Sequence, residues 1–352
     1  MADSRPLAGR YRAVVCDLDG VVYLRDAVVP AAPAALRGVR ALGVAVAFLT
    51  NNSLRPPEDV AAKLVRMGVG AAPGEVLTSS EAVVHLLGGK AALAGARVLV
   101  VGGPGLRQAL LGAGADLAGP SSWREAEIVV VGIDPEVTYE KLATACLAIR
   151  AGARFVGSNP DTTLPVPEGS VPGNGAFLAL LETATGVRPQ VAGKPEPALF
   201  ETAAAAVGPG PYLMVGDRAD TDLEGAARLG WDTALVLTGV VRPDGLLDLP
   251  RAPGHLLADV GGLLAPPGPS ILEAAGHARG AGGDGEAEAA AALLRDVGLP
   301  GVPEAGAGGR RQAPGLDRSP LLVAVDGDRV VGAVAWERHG DVALLRGVAV
   351  AG

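Results

Sequence analysis

Lysine, cysteine and aromatic residues are scarce in this chain. Only four of its 352 residues are lysine (Lys63, Lys90, Lys141 and Lys194), two are cysteine and 3% are aromatic. Cys16 and Cys146 lie in apolar stretches and show neither zinc nor redox spacing. Nothing in them requires a disulfide, as expected of a protein in a reducing cytoplasm. Positive charge is also short. A formal charge of −8 argues against a general nucleic-acid or anionic-membrane binder, because both need a basic surface. No apolar run is long enough for a membrane span, and Met1-Ala2-Asp3-Ser4-Arg5-Pro6 lacks the apolar core of a secretory signal. These absences predict a cytoplasmic protein with no membrane span and no nucleic-acid partner. The composition is skewed to Ala, Gly, Pro and Arg, which says little about function but makes each lysine worth explaining.

What is present is a rhythm of buried strands and amphipathic helices. Hydrophobic content of 49% excludes a disordered chain, and the length allows two or three cores. Apolar runs at 13–16, 44–49 and 212–215 end in polar clusters, and helices are expected over 33–42, 56–67 and 79–87. Strand and helix in alternation predict an α/β fold, a Rossmann-like doubly wound parallel sheet. A second block with the same rhythm, with strands at 97–101, 127–132 and 155–157 and helices at 139–150 and 174–185, interrupts the first. A Pro- and Gly-rich loop over 164–173 precedes its last helix. The expected division is a core over 1–80 and 187–265, an inserted α/β unit over 81–186, a linker over 266–269 and a small α+β tail over 270–352. In the tail a helix is expected over 287–297, a loop over 301–319, and antiparallel strands at 321–325, 329–336 and 342–350 with turns between them.

Four places carry chemistry: Asp17 and Asp19, Thr50-Asn51-Asn52, Lys194, and Asp217 with Asp222. All four are expected to converge at one edge of one sheet, where open α/β sheets bind ligands. Taken singly each has a plain reading: an acidic turn, a polar turn, a solvated lysine, a helix N-cap cluster. Taken together and in this order they supply the parts of phosphoryl transfer. Asp17 can attack phosphorus. Asp19 can protonate the leaving oxygen and later activate water. The Thr50 hydroxyl and the backbone of the Asn51–Asn52 turn can hold phosphoryl oxygens, and Lys194 offsets their charge. Asp217 offers Mg2+ a hard oxygen ligand, with Asp222 in support through water.

The segments Asp17-Leu18-Asp19-Gly20-Val21-Val22-Tyr23, Leu49-Thr50-Asn51-Asn52-Ser53, Gly193-Lys194-Pro195-Glu196-Pro197 and Gly216-Asp217-Arg218-Ala219-Asp220-Thr221-Asp222 together resemble the four motifs of the haloacid dehalogenase superfamily of phosphatases. The large insert between the second and third motifs is similar to the subfamily of p-nitrophenylphosphatases and of phosphoglycolate, pyridoxal-phosphate and glycerol-phosphate phosphatases. The resemblance covers residues 11 to about 260. It implies an aspartyl-phosphate mechanism, Mg2+ held by Asp17, Asp217 and the Asp19 carbonyl, and a cap that closes over the core. It also implies substrate-facing segments around Asn159, Asp161, Gly173 and Asn174. Caps of this subfamily often pair, so a homodimer is an expectation. The tail resembles the first half of a GNAT acetyltransferase without its pyrophosphate-binding helix, so acetyl-CoA binding is not expected. A phosphatase joined to such a tail resembles actinobacterial glycerol 3-phosphate phosphatases. The expected substrate is therefore a small phosphorylated metabolite, first glycerol 3-phosphate. Phosphoglycolate, pyridoxal phosphate or broad p-nitrophenyl phosphate activity, or a phosphate-ligand sensor acting through the tail, are the alternatives.

Overall fold

A computed structural model describes residues 5–166, 168–241, 249, 253–266, 270–273, 321–326, 329–339 and 342–350. The chain enters through β1 (Ala13–Asp17), a short hairpin of β2 (Tyr23–Leu24) and β3 (Ala27–Val28), and α1 (Ala32–Ala41). Then come β4 (Ala45–Thr50), α2 (Pro57–Arg66), β5 (Val76–Thr78), α3 (Ser79–Leu86) and α4 (Gly89–Leu93). Thr78 caps α3 by accepting from the Ser80 N–H at 3.1 Å, and Glu81 answers the Thr78 N–H at 2.9 Å, a reciprocal cap that fixes the helix start.

The inserted block holds β6 (Arg97–Val101), α5 (Pro104–Gly112), β7 (Asp116–Ala118), β8 (Ile128–Val131), α6 (Tyr139–Arg150) and β9 (Arg154–Gly157). It continues through β10 (Thr163–Val166), β11 (Gly169–Pro172), α7 (Asn174–Thr185) and β12 (Gln190–Val191). The chain returns through α8 (Pro197–Val207), β13 (Tyr212–Gly216), α9 (Glu224–Arg228), β14 (Asp232–Val236) and β15 (His255–Leu257).

The core is a six-stranded sheet in the order β15-β14-β13-β1-β4-β5, and its pairings are parallel. From β1 the chain builds outward in one direction through β4 and β5 and later in the other through β13, β14 and β15. The carboxyl end of β1 therefore lies at the topological switch point, where a doubly wound sheet opens a crevice. β1 is buried along its whole length.

The inserted sheet is also parallel, in the order β12-β9-β8-β6-β7. Two differences from the sequence reading follow. The chain was expected to rejoin the core at 187, but β12 pairs with β9, so the inserted sheet takes Gln190 and Val191 as its edge. The stretch 164–173, read as a loop, is the β10–β11 hairpin. Pro165 and Pro172 are tolerated there because a two-stranded ribbon leaves unpaired edges.

A single apolar cluster joins the two sheets. It takes Val15, Leu49 and Met214 from the core strands, Val98, Val100, Val130 and Val156 from the inserted strands, and Leu106, Leu110 and Phe200 from the helices between. The inserted unit thus shares a core with the sheet it accompanies. Burial of side chains of this size contributes roughly 1.5–3 kcal/mol each.

In the tail, Ser270–Glu273, Leu321–Asp326, Arg329–His339 and Val342–Val350 form a four-stranded antiparallel sheet in chain order. Three of these strands were expected; the first was not. The linker at 267–269, the helix over 287–297, the loop over 301–319 and the turns at 327–328 and 340–341 lie outside the described residues. No helix among the described residues is long and apolar enough to cross a membrane.

Candidate active site

Asp17 closes β1 and is 9% exposed. The Lys194 ammonium forms an ion pair with its carboxylate and a second with Asp222 Oδ1 at 2.6 Å. Asp217 follows β13. Asp222 sits in a single π turn, Ala219–Leu223, which folds its carboxylate back under the strand end, where Oδ2 accepts from the Arg218 N–H at 3.2 Å. Carboxylate oxygens of Asp17, Asp217 and Asp222 lie within 4.8 Å of one another. The approach is close because small residues surround it: Gly20, at φ +87°, has its Cα against the Asp217 carboxylate, and a side chain there would collide with it.

Three carboxylates and one ammonium leave two uncompensated negative charges in a buried place. Burial, reinforced by Asp222, pushes Asp217 up to about 6, although the Val240 N–H donates to its Oδ2 at 2.7 Å. Asp17 is raised by burial against the pull of Lys194. Burial alone would lower Lys194, yet Asp17 and Asp222 together raise it and keep it charged. Carboxylates gathered in this way are charges that a divalent cation would neutralise. Hard oxygens at this spacing suit Mg2+.

Not all expected residues come from one sheet edge. Asp17, Thr50 and Asp217 stand at core strand ends, but Lys194 reaches in from the loop after β12, an inserted-sheet strand, across a cis Lys194–Pro195 bond. Thr50 Oγ1 accepts from the Asn52 N–H at 3.1 Å, and Asn52 Oδ1 accepts from the Leu54 N–H at 2.8 Å, so 50–54 is a pair of nested turns. Asn51 ties everything together. Its Oδ1 accepts from the Lys194 N–H at 2.8 Å, its Nδ2 donates to the Lys194 carbonyl at 3.1 Å, and its own carbonyl accepts from Asn159 Nδ2 at 2.7 Å.

Asp19 lies outside the cluster of Asp17, Asp217 and Asp222. Its backbone bridges Tyr23 of β2, and the next residue, Gly20, donates its N–H to the Tyr23 carbonyl at 2.8 Å. Burial raises the pKa of Asp19, opposed by the nearby Lys63.

The four inserted-unit residues divide. Asn159 and Asn174 are buried, and the Asn174 amide is engaged by the Asn159 carbonyl at 2.8 Å and the Val131 carbonyl at 3.3 Å. Gly173 lies where its Cα touches the backbone of Asp161 and Thr163. These three shape the loop. Asp161 crosses to the core, accepting from Asn51 Nδ2 at 3.1 Å and from Arg218 Nη1 at 3.3 Å.

Sequence reasoning missed Arg218, the Val240 N–H and the Tyr23–Arg25–Lys63 group. A backbone N–H leaves no trace in a sequence. Lys63 had one signal, the rarity of lysine.

A family model described as haloacid dehalogenase-like hydrolase matches residues 14–116, and a second, HAD-hydrolase-like one matches 191–263. A 5′-nucleotidase of Bacillus subtilis is 39% identical over 250 residues, 70% of this chain and 95% of that protein. The chain belongs to the haloacid dehalogenase-like hydrolases. Within that family an acid sugar phosphatase of Staphylococcus aureus is 39% identical over 233 residues, 66% of this chain and 88% of the relative. The solved glycerol phosphate phosphatase of Mycobacterium tuberculosis, in complex with magnesium, superimposes with a TM-score of 0.70 at 37% identity, over 81% of this chain and 90% of that one. In this chain the carboxylates of Asp17, Asp217 and Asp222 and the ammonium of Lys194 stand together in one buried cluster.

Proposed function

We propose that this magnesium-dependent phosphatase hydrolyses glycerol 3-phosphate to glycerol and phosphate. The reading is carried by Lys194, a buried ammonium placed against Asp17 at the switch point and matched to an excess of carboxylate. Asp17 attacks phosphorus in line, and an aspartyl-phosphate forms as the alkoxide leaves. Asp19 gives that alkoxide its proton, then takes one from the water that hydrolyses the aspartyl-phosphate and restores Asp17. Thr50, Asn51 and Asn52 orient the phosphoryl oxygens, and Lys194 offsets their charge. Asp17, Asp217 and the Asp19 carbonyl, with Asp222 behind them, would hold Mg2+, which would supply the charge that offsets repulsion between a carboxylate and a dianionic phosphate.

Two observations favour glycerol 3-phosphate over the alternatives. The match to the Mycobacterium tuberculosis glycerol phosphate phosphatase spans 81% of the chain, whereas a p-nitrophenylphosphatase of Geobacillus stearothermophilus spans 72%. Asp161, an inserted-unit side chain that reaches Asn51 and Arg218, is an acceptor with charge. It suits hydroxyl groups on the leaving alcohol and repels the carboxylate of phosphoglycolate. The tail then serves as a docking or regulatory module without acetyl-CoA, and the inserted units are the surface through which two copies would pair.

The test is kcat/KM with Mg2+ across glycerol 3-phosphate, phosphoglycolate, pyridoxal phosphate, sugar phosphates and p-nitrophenyl phosphate. Glycerol 3-phosphate should exceed phosphoglycolate and pyridoxal phosphate by about tenfold or more. A preference for either of those two would replace the substrate while leaving the chemistry.

A further inference from the structure

Lys63 lies on α2, on the flank of the helix whose buried face is Val60, Ala61 and Leu64. A lysine there is ordinarily solvated, and the one carboxylate within ion-pair distance among the described residues, Asp26 at 3.5 Å, is 99% exposed. Such an ion pair contributes little. Yet Lys63 is half-buried and does something more specific. Its ammonium donates to the Arg25 carbonyl at 2.6 Å and stands 4.0 Å from the centre of the Tyr23 ring.

Arg25 is the one non-glycine residue with positive φ, at 55°, among the described residues. That conformation costs on the order of 1 kcal/mol, and the two-residue loop between the paired Leu24 and Ala27 calls for it. Lys63 ties down the carbonyl of that strained residue. The same hairpin meets Asp19: Asp19 bridges Tyr23 through the backbone, and the Gly20 N–H donates to the Tyr23 carbonyl at 2.8 Å. The Arg25 guanidinium donates to the Val166 carbonyl on β10 at 3.2 Å. One hairpin therefore carries the backbone of the acid on one side, is held by Lys63 on the other, and touches the inserted unit.

We propose that Lys63 is a positioning residue for proton transfer to the leaving group: by fixing the Arg25 turn it fixes the direction in which Asp19 presents its carboxyl. The inference rests on Asp19 being the general acid. An alkoxide such as that of glycerol needs a proton as the P–O bond breaks, whereas p-nitrophenolate leaves as a stable anion. A residue that aims the acid thus matters for the first kind of ester and much less for the second, and a merely structural residue affects both alike.

The experiment measures kcat/KM, which reports the step that breaks the ester and not the later hydrolysis common to both substrates, for glycerol 3-phosphate and for p-nitrophenyl phosphate in Lys63→Met, Lys63→Arg, Asp26→Asn and Asp19→Asn, with melting temperatures. The ratio of alkyl to aryl kcat/KM should fall by about tenfold or more in Lys63→Met. It should recover in large part in Lys63→Arg, and stay within about twofold of the parent in Asp26→Asn. An unchanged ratio in Lys63→Met, or equal losses on both esters, overturns the inference. If Asp19→Asn itself keeps alkyl turnover, the general-acid reading falls and Lys63 with it. If Asp19→Asn loses alkyl turnover while Lys63→Met keeps the ratio, only Lys63 is displaced from the mechanism.

Discussion

Asn51 and Asp161 are joined across the seam between the core and the inserted unit, amide nitrogen to carboxylate oxygen at 3.1 Å. The same Asn51 side chain holds the backbone of Lys194 on both sides, so the position of an inserted-unit carboxylate is tied to that of Lys194.

Replacing Asp161 with Ala should therefore act on substrate recognition more than on stability. Its ion pair with Arg218 is partly exposed, at 37% and 23% of the two side chains, and should contribute less than about 1 kcal/mol to folding. Steady-state kinetics on glycerol 3-phosphate should show KM raised about tenfold with kcat changed less. A fall in kcat alone would place Asp161 outside substrate binding.

Gly105, the second residue of α5, lies against the turn that follows Asn52. A Cβ there would lie 2.7 Å from the Arg55 carbonyl oxygen and 2.8 Å from that of Ser53, which are backbone atoms with little room to move. Gly105→Ala should destabilise by about 1–3 kcal/mol in urea unfolding. Because one apolar cluster spans both sheets, the loss should move a single transition rather than split off the inserted unit. Two separated transitions would contradict the shared core.

Metal and pH should be linked through Asp217. Its folded pKa, about 6, lies above the unfolded value of 3.8, so between those pH values the folded state binds more protons than the unfolded one. The metal-free protein should then lose stability as pH rises through that window. Mg2+ needs the deprotonated carboxylates, so its stabilisation should be larger at pH 7.5 than at pH 5. Differential scanning fluorimetry with Mg2+ and with a chelator at both pH values measures this; an equal shift at both would contradict the assignment of Asp217.

The central strands and the chemistry at their ends were legible because the signal is local. Ala13–Cys16 and Tyr212–Val215 are short apolar runs stopped by Asp17 and by Gly216-Asp217, and a buried parallel strand has that form. Helix Tyr139–Arg150 was legible to the residue because Thr138 caps it, its side chain accepting from the Lys141 N–H at 3.2 Å. What escaped was non-local or disguised. Helix Pro104–Gly112 begins in Gly-Pro-Gly, which reads as a turn, although Pro at a helix start is favourable. Strand Gln190–Val191 has two residues, and nothing in them says which sheet they join. The contact of Lys63 with the Arg25 carbonyl links residues 38 apart through a backbone group, and the bridge from Asp19 to Tyr23 is backbone too, which no motif spacing encodes.

The account stands most directly on Asp17 as the nucleophile. The measurement is kcat of Asp17→Asn on p-nitrophenyl phosphate, which needs no general acid, alongside circular dichroism and melting temperature. The folded variant should turn over at least about a thousandfold more slowly than the parent. A folded Asp17→Asn protein with more than about a tenth of the parent rate would contradict the mechanism.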